Sequence, residues 1–178
     1  MAAVCVFCAS SQTLDQRWLD LATSVGAALA RGGHVLVSGG GRAGMMGAVA
    51  AGARAAGGHT IGIIPQSLVD REIADTGSDE LVVTDGLASR KNMMIEKSDA
   101  FLTLPGGIGT LDELFEVWTT GMLRAHDKPV VVLDVDGFYS GLLSWLRTLA
   151  PGGFVRPEAF DLLTVVPSID SAMAVLPR

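Results

Sequence analysis

The sequence predicts an α/β fold in three layers: a mostly parallel sheet with helices on both faces. Three observations predict it. Short apolar runs alternate with stretches whose apolar residues recur at helical spacing, and the links between them are short. Hydrophobic residues make up 49% of the chain and charged residues 18%, with a mean hydropathy of +0.41, an apolar excess that suits strands buried on both faces and an apolar subunit interface. Glycine and serine collect directly after several of the apolar runs, where strands of such a sheet turn into helices. At 178 residues the chain reads as one domain, 1–178, large enough to bury roughly 70% of its unfolded surface.

The elements follow in order. Residues 3–7 read as a strand and 14–31 as a helix; 35–37 is a strand, 43–56 a helix, and 60–64 a strand stopped by Pro65. The polar stretch 69–79 holds a short helix and an exposed loop. A strand over 81–84 and a helix over 89–97 come next, then a strand over 100–104 and a helix over 110–124, where Leu111, Leu114, Phe115, Trp118 and Met122 share a face. Residues 130–134 form a strand and 139–150 a helix. After Pro151-Gly152-Gly153 come a short helix, a strand over 162–166 and a final helix from Ser168. No shift in composition marks a domain boundary.

Charge narrows the partners. A net charge of −6 and a pI near 4.9 argue against a nucleic-acid polymer, although one phosphate can still be held locally by backbone donors and an arginine. No apolar run is long and unbroken enough to cross a membrane. The start, 1–9, reads as a first strand rather than a basic, then apolar, leader, so a cytoplasmic location is expected.

Cys5 and Cys8 spell C-x-x-C, but inside a strand side chains three apart face opposite ways, so the two thiols cannot share a metal. They read as buried and inert. His34 and His59 each follow Gly-Gly and precede a strand, at the edge of the sheet opposite to where ligands bind; they read as structural, as does His126.

The chemistry-bearing residues gather where strands end. The strand over 100–104 runs into Pro105-Gly106-Gly107-Ile108-Gly109-Thr110-Leu111-Asp112-Glu113. Such a strand–glycine–helix turn gathers unpaired N–H groups at the positive end of a helix dipole, a site for an anion. Glycines let a phosphate reach the backbone without meeting a Cβ. A second rich turn, Gly39-Gly40-Gly41-Arg42-Ala43-Gly44, matches the dinucleotide G-x-G-x-x-G pattern. The next strand ends Ile63-Ile64-Pro65-Gln66, without the acid that would hold a ribose, so full dinucleotide binding is disfavoured. No phosphate loop with Gly-Lys-Ser or Gly-Lys-Thr is present. Ala9-Ser10-Ser11 and Asp85-Gly86-Leu87-Ala88-Ser89-Arg90-Lys91 complete the rim.

Arg90 and Glu113 flank the strand over 100–104, which places them at the ends of two strands expected to be adjacent. An arginine fork grips phosphate or hydroxyls, and a carboxylate stabilises an oxocarbenium ion or positions a water. Thr110-x-x-Glu113 also spells a capping box, in which the glutamate folds back on a backbone N–H, and spacing alone leaves both readings open. Arg90 and Lys91 also suit a plain solvated helix face. Met45, Met46, Met93 and Met94 read as core packing. Asp134 and Asp136 read as caps or loop-orienting groups.

At these residues the chain resembles the LONELY GUY family of cytokinin-activating phosphoribohydrolases, whose members were often labelled lysine decarboxylases. The resemblance runs from Val6-Phe7-Cys8-Ala9-Ser10-Ser11 through the 39–47 turn and Ile64-Pro65, then Arg90-Lys91 and Pro105-Gly106-Gly107-x-Gly109-Thr110-x-x-Glu113, to His126-Asp127-Lys128-Pro129. It covers about three quarters of the chain. It implies a Rossmann-like nucleotide-binding fold and hydrolysis of the N-glycosidic bond in N6-modified adenosine 5′-monophosphates, and in AMP, to free base and ribose 5-phosphate. It implies Arg90 and Glu113 as the catalytic pair, with Ser10, Gly40, Gly41, Lys91, Gly106, Gly107, Gly109 and Thr110 as nucleotide contacts. A homodimer is implied, and neither metal nor organic cofactor. Two positions depart from the family pattern: Leu87-Ala88 stand where Met-His is common, and Ala9 where glycine is usual. Both bear on base preference more than on reaction class. Two alternatives share these loops: a general nucleoside 5′-monophosphate nucleosidase, and a non-catalytic carrier of a nucleotide-like cofactor, which needs no Arg90–Glu113 pair. Decarboxylation through a pyridoxal Schiff base is least supported, with Lys91 as its one candidate lysine at the rim.

Overall fold

Strands apolar on both sides need cover on both sides, and this chain supplies it with helices. The computed structural model describes residues 1–71 and 73–177. Its strands are β1 (Ala3–Phe7), β2 (Val35–Ser38), β3 (Thr60–Pro65), β4 (Glu80–Thr84), β5 (Ala100–Thr103), β6 (Val130–Leu133) and β7 (Leu163–Val166). They form one sheet in the order β4-β3-β2-β1-β5-β6-β7, parallel at each pairing. The helices are α1 (Gln16–Arg31), α2 (Gly44–Ala55), α3 (Gln66–Val69), α4 (Leu87–Glu96), α5 (Ile108–Met122), α6 (Ser140–Thr148) and α7 (Ile169–Val175), with 3-10 turns at Val135–Gly137 and Pro157–Leu162.

The three-layer expectation holds. On one face Val25 and Leu29 of α1, Met45 and Val49 of α2 and Ala172 of α7 pack on Val4, Val6, Leu36 and Leu102. On the other, Met94 of α4, Leu114 and Val117 of α5 and Leu143 of α6 pack on Cys5, Phe7, Val37 and Phe101. Cys5 and Cys8 join opposite faces, both buried and unpaired, and burial holds both thiols far above the ordinary thiol range. Small residues let α1 and α2 touch: a Cβ on Gly26 or Gly52 would overlap the backbone of the facing helix at Val49 or Thr23. Among the described residues no helix is long and apolar enough to cross a membrane.

Most boundaries fall within two residues of expectation, and the departures have local causes. Helix α1 starts at Gln16 because the Asp15 carboxylate accepts from Arg17 N at 3.0 Å and caps it. Helix α4 starts at Leu87 and α5 at Ile108, each after a glycine N-cap, two residues earlier than the polar side chains at 89 and 110 suggested. The short helix expected within 69–79 lies earlier in the chain, as α3, directly after the Pro65 that ends β3, and only Val69 falls in the expected stretch. The loop after it is pinned by an Asp75 N–H donated to Gly40 O at 2.8 Å and an Arg54–Asp75 ion pair at 2.8 Å; residue 72 lies outside the described residues. Asp134 accepts from Tyr139 N at 2.6 Å and Ser140 Oγ at 2.8 Å, orienting the loop into α6 as expected of it.

One expectation of topology is corrected. The strands that lead to Arg90 and Glu113 are not neighbours: β4 is an edge strand, with β3, β2 and β1 between it and β5. The chain must carry α4 back across the sheet to reach β5, and that crossing brings Arg90 inward.

Candidate active site

Strand order reverses direction between β1 and β5, so the loops after those strands diverge to opposite faces and leave a crevice at their C-terminal ends. A cavity of about 670 Å³ opens there, a size that suits a nucleotide-like ligand. Its loops hold one another: Met45 N donates to Ala9 O at 2.9 Å, Ala9 N donates to Pro105 O at 3.3 Å, and Tyr139 Oη donates to Leu104 O at 2.7 Å. Gly44 has φ +58, and a Cβ there would lie 2.5 Å from Ser11 O, so the start of α2 can press on the Ser10-Ser11 loop only as glycine.

The turn into α5 separates two kinds of glycine. A Cβ on Gly106 would lie 2.5 Å from Thr110 Cβ, so Gly106 is there to seat the buried Thr110 side chain. A Cβ on Gly107 or Gly109 would meet no atom within 4 Å; both line the cavity and clear space in it. The first helical bond of this turn runs from Leu111 N to Gly107 O at 2.9 Å, which leaves the N–H groups of 108–110 without an intrahelical acceptor. An anion in the cavity would meet those donors and the helix dipole together.

Arg90 and Glu113 meet across this space. Arg90 Nη2 lies 3.7 Å from Glu113 Oε1, with both side chains about nine-tenths buried. Arg90 Nε donates to Ile63 O at 3.1 Å, which aims the terminal nitrogens at the cavity. The capping-box alternative is not realised: α5 begins at Ile108, so Thr110 lies inside the helix, and no side chain caps its start. Burial pushes the Glu113 carboxyl up to about 7; Arg90 and Lys91 pull it down, while Asp112 and Glu116 add to the rise. A carboxyl poised near neutrality can give or take a proton at working pH.

Lys91 is committed to carboxylates: its Nζ lies 2.9 Å from Asp112 Oδ2 and 2.6 Å from Glu116 Oε2. Bonds to Glu116 and Asp112 raise its pKa, so it stays an ammonium, the wrong form for a Schiff-base nucleophile.

Of the residues singled out from the sequence, Ser10, Arg90, Lys91, Gly107, Gly109, Thr110 and Glu113 line the cavity. Gly106 lies beneath it, under Thr110. Gly40 and Gly41 are not brought to it: both are buried, Gly40 with φ +69 beside Ile63 and Ile64, and Gly41 donating its N–H to Met46 Sδ at 3.2 Å. Met46, read as core, lines the cavity, as do Cys8, Ala9, Leu87, Ala88 and Asp112; Cys8, Ala9, Met46, Leu87 and Ala88 are the apolar part of its lining. Ala9, Leu87 and Ala88 are marked in the sequence by their departure from the family pattern, whereas Cys8 reads as buried and inert and Met46 as core. His59 bonds Glu80 at 3.2 Å and His126 bonds Val117 O at 2.9 Å, both away from the cavity.

A family model described as "possible lysine decarboxylase" matches residues 46–176. The chain is 52% identical over 170 residues to a cytokinin riboside 5′-monophosphate phosphoribohydrolase of Mycobacterium tuberculosis, covering 96% of this chain and 90% of that one. It is 42% identical over 165 residues to an Arabidopsis thaliana enzyme of the same name, covering 93% and 77%. Among solved structures, the molybdenum cofactor carrier protein of Chlamydomonas reinhardtii superposes with a TM-score of 0.74 at 26% identity, over 97% of this chain and 94% of that one. A molybdenum cofactor binding protein of Rippkaea orientalis gives 0.74 at 24% identity, over 98% and 94%.

Proposed function

We propose a reaction from one premise: this chain belongs to the LONELY GUY family of phosphoribohydrolases, whose sequence model carries the older lysine decarboxylase description. The reaction is hydrolysis of the N-glycosidic bond of nucleoside 5′-monophosphates, with N6-modified adenosine monophosphates as the preferred class. Water adds its hydroxyl to C1′ and its proton to the departing base, giving free base and ribose 5-phosphate. The observation that carries this reading is the buried Arg90–Glu113 pair lining one cavity together with the N-terminal turn of α5.

In that reading the 5′-phosphate lies on the amides of 108–110, aided by Thr110 and Ser10. Arg90 turns its terminal N–H groups to the sugar phosphate. Glu113 faces the anomeric carbon, stabilises the positive charge that develops there and takes the proton of the attacking water. The apolar wall of Met46, Leu87 and Ala88 is where a base with an apolar N6 substituent would rest. Exposed Leu87 and Ile108 at the cavity rim support a working homodimer, tested by sedimentation.

The test is product analysis. Purified protein is incubated with AMP and with N6-isopentenyl-AMP, and base and ribose 5-phosphate are quantified beside Glu113→Gln. Release by the wild type and not by the variant supports the reading. Binding without cleavage would favour the second reading, a cofactor carrier, which the carrier-like neighbours motivate and which has no need of the buried Arg90–Glu113 pair.

A further inference from the structure

The first glycine of the 39–44 turn has no conformational reason to be glycine. Gly40 and Gly44 take positive φ, whereas Gly39 does not. What Gly39 lacks is room. A Cβ there would overlap Arg90 Nη2 outright and lie 2.9 Å from Arg90 Cζ. Gly39 is buried at the end of β2, and Ile63, whose carbonyl accepts from Arg90 Nε at 3.1 Å, lies on the neighbouring β3. The guanidinium therefore lies across the tips of two strands, on bare Cα and carbonyl, and from there reaches Glu113 at 3.7 Å.

We propose that Gly39 is a positioning residue of this site: its missing side chain is the seat that receives the Nη2 end of the Arg90 guanidinium beside Glu113. The reason is architectural. Arg90 comes from α4, which follows an edge strand, and its side chain must cross the strand ends to meet a carboxylate on α5. A long side chain held by one hydrogen bond needs a shaped surface beneath it to keep one rotamer. The other atom near a Cβ at Gly39 is Met46 Cε, at 3.1 Å, the free end of a flexible side chain that can yield. The steric conflict is thus with Arg90.

The activity readout rests on the phosphoribohydrolase reading above; the titration and stability readouts do not. The groups facing Glu113 are Arg90 and Lys91 from α4, Asp112 and Glu116 from its own helix, and the Cys5 and Cys8 thiols from β1 and its loop. Of these, Arg90 is the one whose atoms are among the nearest to a Cβ at Gly39. The experiment is a cycle of Gly39→Ala, Arg90→Ala and the double variant, followed by NMR titration of carboxyl-labelled glutamate, thermal unfolding and turnover.

In Gly39→Ala, the Glu113 midpoint is expected to move upward by most of the shift that Arg90→Ala causes, because the cation has been pushed off. Turnover is expected to fall about a hundredfold, the cost of misplacing a catalytic group by an ångström. In the Arg90→Ala background, Gly39→Ala should change neither midpoint nor thermal stability. An unmoved Glu113 midpoint in Gly39→Ala would overturn the proposal. So would an equal loss of stability from Gly39→Ala with and without Arg90. If the single variant does not fold, folding of the double variant supports the seat, and its failure to fold overturns it. If the wild type cleaves neither nucleotide, the reaction reading fails while the titration still decides the role of Gly39.

Discussion

Replacing Glu113 by Gln should stabilise this protein as it disables it, and the gain should depend on pH. The Glu113 carboxyl is raised from 4.5 to about 7, chiefly by burial. Below pH 4.5 the group is protonated in both folded and unfolded chains and costs nothing. Between 4.5 and about 7 the unfolded chain releases its proton first, so folded stability falls as pH rises. Above about 7 the loss is complete, near 3 kcal/mol. Glutamine has the shape of the protonated acid and no ionisation, so Glu113→Gln escapes this cost. Arg90 does not disturb the comparison, since at low pH it faces a neutral acid in the wild type as well.

The expected advantage of Glu113→Gln is therefore about 1 kcal/mol at pH 5.5 and about 3 kcal/mol at pH 8.5. For a chain of this length the latter is roughly 6–10 °C in Tm. Urea unfolding of both proteins across that range measures it, with turnover followed in the same samples. An advantage that does not change with pH would refute the reasoning, because it would mean that Glu113 ionises in the folded protein as it does in water.

Three further outcomes follow from the same geometry. Lys91→Met leaves Asp112 and Glu116 uncompensated beside Glu113, so the acid limb of the kcat/KM profile should move to higher pH; an unmoved limb would show that the Lys91 charge does not reach Glu113. Gly106→Ala must displace the Thr110 side chain and with it the turn, so kcat/KM should fall about a hundredfold, and wild-type activity in that variant would sink the cradle assignment. Trp118→Phe removes the buried bond from Trp118 Nε1 to Ala159 O at 2.7 Å, between residues that do not line the cavity; unfolding measurements should show a loss of about 1–2 kcal/mol with turnover unchanged.

The layers of this fold were legible because the strands are short apolar runs, most of them stopped within a few residues by glycine, proline or serine, and those stops mark the sheet's functional edge. Helix starts were read late at α4 and α5 for one physical reason. Ser89 and Thr110 are good N-cap residues, but each follows a glycine that caps just as the chain leaves the strand. Ser89 then serves inside the helix, its Oγ accepting from Gly86 N at 3.1 Å. Strand order was misjudged because alternation of strand and helix fixes connectivity, not position: nothing local to 80–84 says that this strand is an edge. Met46 was missed because a methionine one turn from glycines has the same signature whether it fills a core or walls a cavity. Gly40 and Gly41 match a nucleotide-binding pattern, yet they turn the chain beneath the site, Gly40 by its positive φ and Gly41 through its bond to Met46. Charge partners were the least legible, since Lys91 meets Asp112 and Glu116 only because two helices cross.

How the site divides its work follows from which element carries each part. Helix α5 bears both the amides of 108–110 and, about one turn later, Glu113. One turn rises about 5.4 Å along the axis, and the helix fixes that spacing without help from any other element. In the proposed reaction, a phosphate at the helix start and a reacting carbon beside Glu113 would then be held at a set separation, on the scale of a sugar phosphate. The cations are arranged differently. Lys91 is spent on two carboxylates, so it adjusts the field around Glu113 more than it grips a ligand. Arg90 is the cation whose terminal nitrogens make no hydrogen bond among the described residues, and it arrives from α4 on a flexible stem. Precision that α5 has by geometry, Arg90 must acquire by contact. The strand tips at Gly39 and Ile63 supply that contact, which is why a glycine that looks like part of a nucleotide fingerprint serves an arginine instead.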